Sequence, residues 1–278
     1  MAVTTALIGG GYTLQRLAER LKPGSFVITS RSAATIAGWR ARGWEASKLD
    51  VADAKSVSSF FQSYSSLSVV VDSVPPIRSG GDPALGAKHI AAALQGTSVR
   101  QVVYLSTTGV FGVRDGSVVD ESTPPAPWNS QGEARLRCEE AYRASGVATC
   151  ALRLPAIYGA DRGLLHSLRS GSYRLIGSGE SWTNRIHVDD LVSVIERAIA
   201  ATTLPPVLCV SDDCPTQART VAEFLCAREG LPMPASVSAE EAARQGAFTM
   251  LSNQRVQNGL MKKLLGVTLR YPSFREGM

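Results

Sequence analysis

At 278 residues, with 44% apolar and 19% charged side chains, the chain is long enough to bury a full core and has an ordinary globular composition. No apolar run approaches bilayer length and MAVTTALIGGG opens without a basic segment, so neither a membrane association nor a secretory leader is expected. The net charge of +5 does not signal nucleic acid, because the arginines are scattered (16, 20, 31, 40, 42, 100, 135, 137, 153) and no nucleic-acid motif accompanies them. A solvated surface and an anionic small ligand account for it. The five cysteines form no CxxC pair and the histidines stand apart at 89, 166 and 187. No metal site is expected, and free thiols suit a reducing cytoplasm.

Apolar runs and helical stretches then alternate. TTALIG (4–9), SFVITS (25–30), the weaker WEASKLD (44–50), SVVVDS (68–73), QVVYLS (101–106) and TCALRL (149–154) read as strands. Between them LQRLAERL, AATIAGWRAR, AKSVSSFFQSY, PALGAKHIAAALQ and the stretch from Ser130 carry helical spacing. Strict alternation predicts an α/β fold with a doubly wound parallel sheet covered on both faces. Beyond 155 the rhythm loosens: VDDLVSVIERAIAA reads as a helix, PVLCVSD (206–212) as a strand, and TVAEFLCAREG as a helix ending on Gly230.

LIGGGYTLQRLAERL places three glycines between a strand and a helix. Such a turn lets backbone approach a pyrophosphate, while the helix start offers free N–H groups and positive dipole. Gly9 and Gly11 take the first two glycine places of the dinucleotide fingerprint, with Tyr12 and Thr13 opening the helix. The third place falls on Leu14, which implies a shifted helix rather than a lost phosphate site. At the end of the second strand, where NAD binders tend to place an acid, this chain has Ser30, Arg31 and Ser32. An arginine between hydroxyls suits a 2′-phosphate, so NADP(H) is favoured, with NAD(H) as the alternative.

NSQGEARLRCEE (129–140) opens the helix that follows QVVYLS. Ser130 and Glu133 have capping-box spacing, and Gln131 and Arg135 fall four apart on one face.

Four later stretches carry a resemblance. VVYLSTTGVFG (102–112), ALRLPAIYG (151–159), NRIHVDDL (184–191) and VSDDCPT (210–216) resemble, in order, motifs of the extended short-chain dehydrogenases/reductases, the NAD-dependent epimerase/dehydratase family. LSNQRV with LRYPSFREG is similar to its atypical YeeZ-like branch. The resemblance implies a Rossmann-type domain at 1–158, rejoined by 187–212, with a small substrate lobe from 159–186 and 213–278. It puts Asp50 and Val51 near the adenine, Ser73 near the cofactor, and Leu154, Pro155 and Ala156 beside the nicotinamide. The active-site hydroxyl maps to Thr107, or to Thr108 with a one-residue slip.

Aligning the family's helix glutamate with Glu139 puts Gln131 in the place of its tyrosine and Arg135 in that of its lysine. An amide does not titrate and a guanidinium stays charged, so neither relays a proton. Binding remains: Arg135 can hold ribose hydroxyls or phosphate, and Gln131 can orient a polar group. The proton is then expected from Tyr158 first, with Tyr12, His187 or a water on Thr107 as alternatives. Two functions follow: an NADP(H)-dependent oxidoreductase or epimerase-like enzyme acting on a small polar molecule, or a dinucleotide-binding sensor without turnover. Either works as a monomer or a homodimer.

Overall fold

The computed structural model describes residues 3–78, 80–245 and 251–278. Strands β1 (Thr5–Ile8), β2 (Phe26–Ser30), β3 (Glu45–Lys48), β4 (Val69–Asp72) and β5 (Gln101–Thr107) alternate with helices α1 (Tyr12–Arg20), α2 (Ala33–Ala41), α3 (Ala54–Ser63) and α4 (Leu85–Ala93). Helix α5 (Ser130–Ala144) follows, then strand Ala148–Leu154, helix Val188–Ala200 and strand Val207–Cys209. A seven-stranded sheet runs β3, β2, β1, β4, β5, then 148–154 and 207–209. β1 pairs in parallel with both β2 and β4, which makes their junction the switch point where the winding reverses. This is the doubly wound sheet the alternation predicts, of the Rossmann type the resemblance implies. The sheet is buried on both faces, which is why its strands are continuous apolar runs such as VVV at 69–71.

Two compact units divide the chain. The first takes residues 1–106, 133–152 and 192–208. Its core gathers Ala6, Ile8, Val70, Val102, Phe60, Ile90, Tyr104 and Tyr142 among others, so β1, β4, β5 and helices α3 to α5 share one apolar interior. Helix Val188–Ala200 is tied to α1 by Arg20, which donates to Ser193 and pairs with Glu196.

The second unit takes 107–132, 153–191 and 209–278. Segments 107–132 and 153–158 fall here rather than with residues 1–106, a boundary the sequence set at 158. Short parallel pairings explain it: Arg255–Val256 pairs with Val118–Val119, and Arg185–His187 pairs with Ala156–Tyr158. Its apolar centres are Leu168, Val221, Leu225, Cys226 and Phe274 in one cluster, and Phe111, Val119, Cys209 and Val256 in another. Strands of two or three residues carry no readable period, so the sequence shows none of these pairings. Among the described residues, no helix is long and apolar enough to cross a membrane.

Candidate cofactor site and active-site turn

The glycine turn joins β1 to α1 at the switch point. Gly9 has a left-handed φ of +85°, and Thr29 on β2 holds the turn through two bonds. Its Oγ1 accepts the Gly9 N–H at 3.2 Å and its carbonyl accepts the Gly10 N–H at 2.9 Å. Just past β4, Ser73 Oγ donates to the Gly9 carbonyl at 2.6 Å. A Cβ on Gly9 would stand 2.8 Å from Val74 Cγ2, and one on Gly10 would run into the Trp39 ring. Gly10, outside the fingerprint, is therefore the more tightly enclosed glycine. Gln15 completes the enclosure, donating to the Gly10 carbonyl at 3.1 Å and accepting from Trp39 Nε1 at 3.4 Å. Leu14, in the third fingerprint place, is fully buried.

Gly11 is the N-cap of α1 and makes no side-chain capping bond, and the positive end of the helix dipole there suits an anion. Thr13 is buried in the first turn, while Tyr12 is half-buried with the Arg16 guanidinium 4.8 Å over its ring. At the end of β2, Ser30 Oγ accepts the Ser32 N–H at 3.1 Å, and Ser32 Oγ caps α2 by accepting from Thr35 at 3.2 Å. Arg31 between them is exposed. Asp50 Oδ1 accepts the Ala52 N–H at 3.0 Å, and the Val51 carbonyl meets His89 Nδ1 at 2.9 Å. The uncapped helix, the Cβ-free turn and the exposed arginine fit a dinucleotide's phosphates and ribose.

On α5 the cap differs from the sequence expectation. Asn129 Oδ1 accepts the N–H groups of Gln131 (3.0 Å) and Gly132 (2.9 Å), so Asn129 caps the helix and the Ser130–Glu133 box does not form. The asparagine one residue upstream is the cap, which leaves Ser130 as the first residue of the helix. Further along, Ser106 Oγ donates to Glu139 at 2.5 Å with both residues buried, which pins α5 to β5. Arg135 turns one nitrogen inward. Its Nη1 donates to Tyr104 Oη (2.9 Å), the Leu105 carbonyl (3.1 Å) and the Val74 carbonyl (3.3 Å).

In the second unit the turn expected to carry the active-site hydroxyl is the short 3₁₀ segment Thr108–Phe111 after β5. Thr107 Oγ1 accepts the Gly109 N–H at 3.1 Å, leaving its own hydrogen to donate, and the residue is half-buried. Thr108 is buried and its carbonyl accepts from Gln254 Nε2 at 3.0 Å. Gln131 is half-buried. Leu154 is buried at its strand end, Pro155 is half-buried and Ala156 is exposed.

Tyr158 sits in a different setting from the one the sequence suggested for a proton donor. It is 2% exposed, donates to the Ser273 carbonyl at 3.3 Å and packs edge-on to His187 with ring centres 5.1 Å apart. Burial, then nearby Asp212, pushes its phenol up, away from the working range of a general acid. His187 lies between Tyr158 and Tyr271, whose ring centre is 3.8 Å away. Asp190 carries the next step of that packing, accepting the Arg270 N–H (2.8 Å) and the Tyr271 N–H (2.9 Å). The HVDD stretch thus anchors the C-terminal tail.

Gly10, Trp39, Val74 and Asp72 escaped the sequence reading of the turn and its walls. The readable signals were the middle glycine of the run 9–11 and an acid closing an otherwise apolar strand.

The profile of the NAD dependent epimerase/dehydratase family matches residues 7–206, and the chain belongs to that family. A solved structure of a functionally unknown conserved protein from Silicibacter pomeroyi DSS is 32% identical, with a TM-score of 0.78 over 99% of this chain and 96% of that one. The dTDP-glucose 4,6-dehydratase DesIV of Streptomyces venezuelae, a double mutant solved with NAD and DAU bound, shares the fold. Its TM-score is 0.80 at 16% identity, over 98% of this chain and 94% of that one. A curated relative, the N-acetyl-alpha-D-glucosaminyl-diphospho-ditrans,octacis-undecaprenol 4-epimerase of Escherichia coli O157:H7, is 24% identical over 122 residues. That match covers 40% of this chain and 37% of the relative, so the chain spans about a third of the curated relatives it matches.

Proposed function

We propose that the chain binds a nicotinamide dinucleotide, NADP(H) in preference to NAD(H), and acts as an oxidoreductase or epimerase-like enzyme on a small polar molecule. The observation that carries the reading is the turn Gly9–Gly11, walled by Val74 and Trp39 and ending on an uncapped helix. NAD in a structural relative supports the cofactor class. Arg31, exposed between Ser30 and Ser32, supports the 2′-phosphate. Asp50, Val51 and Ser73 would line the adenine and ribose, and Leu154, Pro155 and Ala156 the nicotinamide.

The cofactor supplies hydride chemistry at its ring carbon. For the rest, Thr107 donates its free hydroxyl hydrogen and Gln131 orients a polar substrate group. Arg135 keeps Nε and Nη2 for ribose hydroxyls. Packing and burial leave Tyr158 poorly suited to give a proton, so water held by Thr107 is the preferred source. The C-terminal LSNQRV and YPSFREG segments support the YeeZ-like branch.

A second reading rests on one observation. Arg135, in the family's lysine place, is bonded inward to two backbone carbonyls and a phenol, and its neighbour Gln131 does not titrate. That arrangement suits a sensor that binds the dinucleotide without turnover. NADPH labelled at nicotinamide C4, incubated with the protein and a metabolite extract, separates the two. Label leaving the cofactor supports the enzyme; tight binding with the label retained supports the sensor.

A further inference from the structure

Asp72 closes β4 and is 2% exposed. An apolar side chain would fill this place at no electrostatic cost; the chain instead buries a carboxylate. Its Oδ2 accepts the Tyr142 hydroxyl at 2.6 Å and its Oδ1 accepts the Val74 N–H at 2.9 Å. Arg135 Nη1 approaches the same residue from its other end, donating to the Val74 carbonyl at 3.3 Å. An acid thus holds the N–H of Val74 and a base holds its C=O.

Val74 is also what the phosphate turn rests on. The Cβ position of Gly9 lies 2.8 Å from Val74 Cγ2 and 3.2 Å from Val74 N. With Ser73 Oγ on the Gly9 carbonyl, the two residues after Asp72 form one wall of the turn. That continuity, Asp72 to Val74 to Gly9, connects a buried charge to the pyrophosphate position.

The groups facing Asp72 are few. Helix α5 presents Arg135, Cys138 and Tyr142, and β5 presents Tyr104. Helix α4 contributes Gly86, Ala87 and Ile90 to a cavity of about 10 Å³ shared with Asp72, Tyr104 and Cys138, and β1 sets Ile8 beside Asp72 in register. Arg135 is the one cation among these described neighbours. Burial pushes the Asp72 carboxyl up to about 6, with Tyr142, Val74 and Arg135 pulling the other way.

We propose that Asp72 is a positioning residue for the dinucleotide: its ionised carboxylate fixes the Val74 wall under Gly9, so cofactor affinity follows the ionisation of Asp72. The inference rests on the cofactor reading above. Ionised, the carboxylate accepts fully from both Tyr142 and Val74. Protonated, one oxygen becomes a donor and one of the two bonds weakens. The Val74 N–H then loses its fixed partner, and the turn loses its wall.

The test is NADPH affinity from pH 5 to pH 8, followed by calorimetry on the whole chain for wild type, Asp72→Asn and Tyr142→Phe, with circular dichroism confirming fold. The Asp72→Asn curve removes the titration of the ligand's own phosphate from the comparison. Wild type should bind about tenfold tighter than Asp72→Asn at pH 8, the size expected for one charge-assisted bond, and the two should converge at pH 5. Tyr142→Phe removes a bond that favours the carboxylate, so the midpoint of the wild-type affinity change should move to higher pH in that variant. A merely structural role lowers affinity at every pH and leaves the midpoint in place. Parallel wild-type and Asp72→Asn curves overturn the inference and leave the cofactor reading standing. An unmoved midpoint in Tyr142→Phe overturns it likewise. No binding of NADPH at any pH overturns both.

Discussion

Trp39 lies against the α-carbon of Gly10, so that the indole of α2 occupies the space a side chain on the phosphate turn would need. The same ring bonds through Nε1 to Gln15 of α1, which in turn reaches the Gly10 carbonyl. Gly10→Ala should therefore displace Trp39 or the turn, costing about 1–3 kcal/mol by overpacking. Urea unfolding of the variant beside Gly24→Ala, a positive-φ turn position with open space around it, checks the cause. Gly24→Ala should show backbone strain alone and keep cofactor affinity, whereas Gly10→Ala should lose both stability and affinity.

Asp72 gives stability an unusual pH dependence. Its folded-state value of about 6 lies above the ordinary 3.8, so on raising the pH the unfolded chain releases this proton first. Stability is therefore greatest below about pH 4 for this group and falls as pH rises toward the folded value. The loss is ~3 kcal/mol when the carboxyl is fully ionised. Asp212 adds a second fall that extends to about pH 7, since burial raises its carboxyl to about 7 against the pull of Arg185. Denaturant melts across pH 4–8 should show Asp72→Asn removing the earlier component and leaving the later one. A wild-type stability that climbs through this range and is unchanged in slope by Asp72→Asn contradicts the assignment.

Tyr158 is expected to matter to the tail rather than to turnover. Its hydroxyl holds the Ser273 carbonyl, and Ser273 begins the capping box of the terminal helix Phe274–Gly277. Tyr158→Phe should cost about 1 kcal/mol of stability, the usual net value of one hydrogen bond. Cofactor affinity, and any activity found, should change less than twofold. A loss of turnover beyond tenfold with stability intact would restore Tyr158 as the proton donor.

Much of the first unit is legible from residues alone. The six strands read from 4 to 154 all form, and each helix between them lies within a few residues of its predicted span, because apolar runs and 3.6-residue spacing report burial directly. Even the weak WEASKLD forms β3 at Glu45–Lys48, where pairing with β2 outweighs a polar sequence. The second unit is less legible. Val118–Val119 and Arg255–Val256 pair across more than a hundred residues, a relation no local window contains. At the site, Gly9 and Gly11 stand out by type and spacing, and Ser73 is reached only through the family resemblance. Trp39 and Asp72 do not, since one reads as a helix residue and the other as a strand end. Arg135 is half legible: its type and helix position are visible, its inward bonds are not. The expected capping box failed because Asn129, one residue earlier, caps the helix through the Gln131 and Gly132 N–H groups, which leaves Ser130 inside its first turn.

The central claim is that the Gly9–Gly11 turn holds the diphosphate of a pyridine dinucleotide. Isothermal titration of the intact chain with NADPH, NADH, NADP⁺ and NAD⁺, repeated on Arg31→Ala, tests it directly. The account predicts saturable heat with the phosphorylated forms, weaker binding of the others, and an Arg31→Ala variant that loses about tenfold toward NADPH and little toward NADH, as expected for one charge-assisted phosphate contact. No heat with any of the four at millimolar concentration would contradict it.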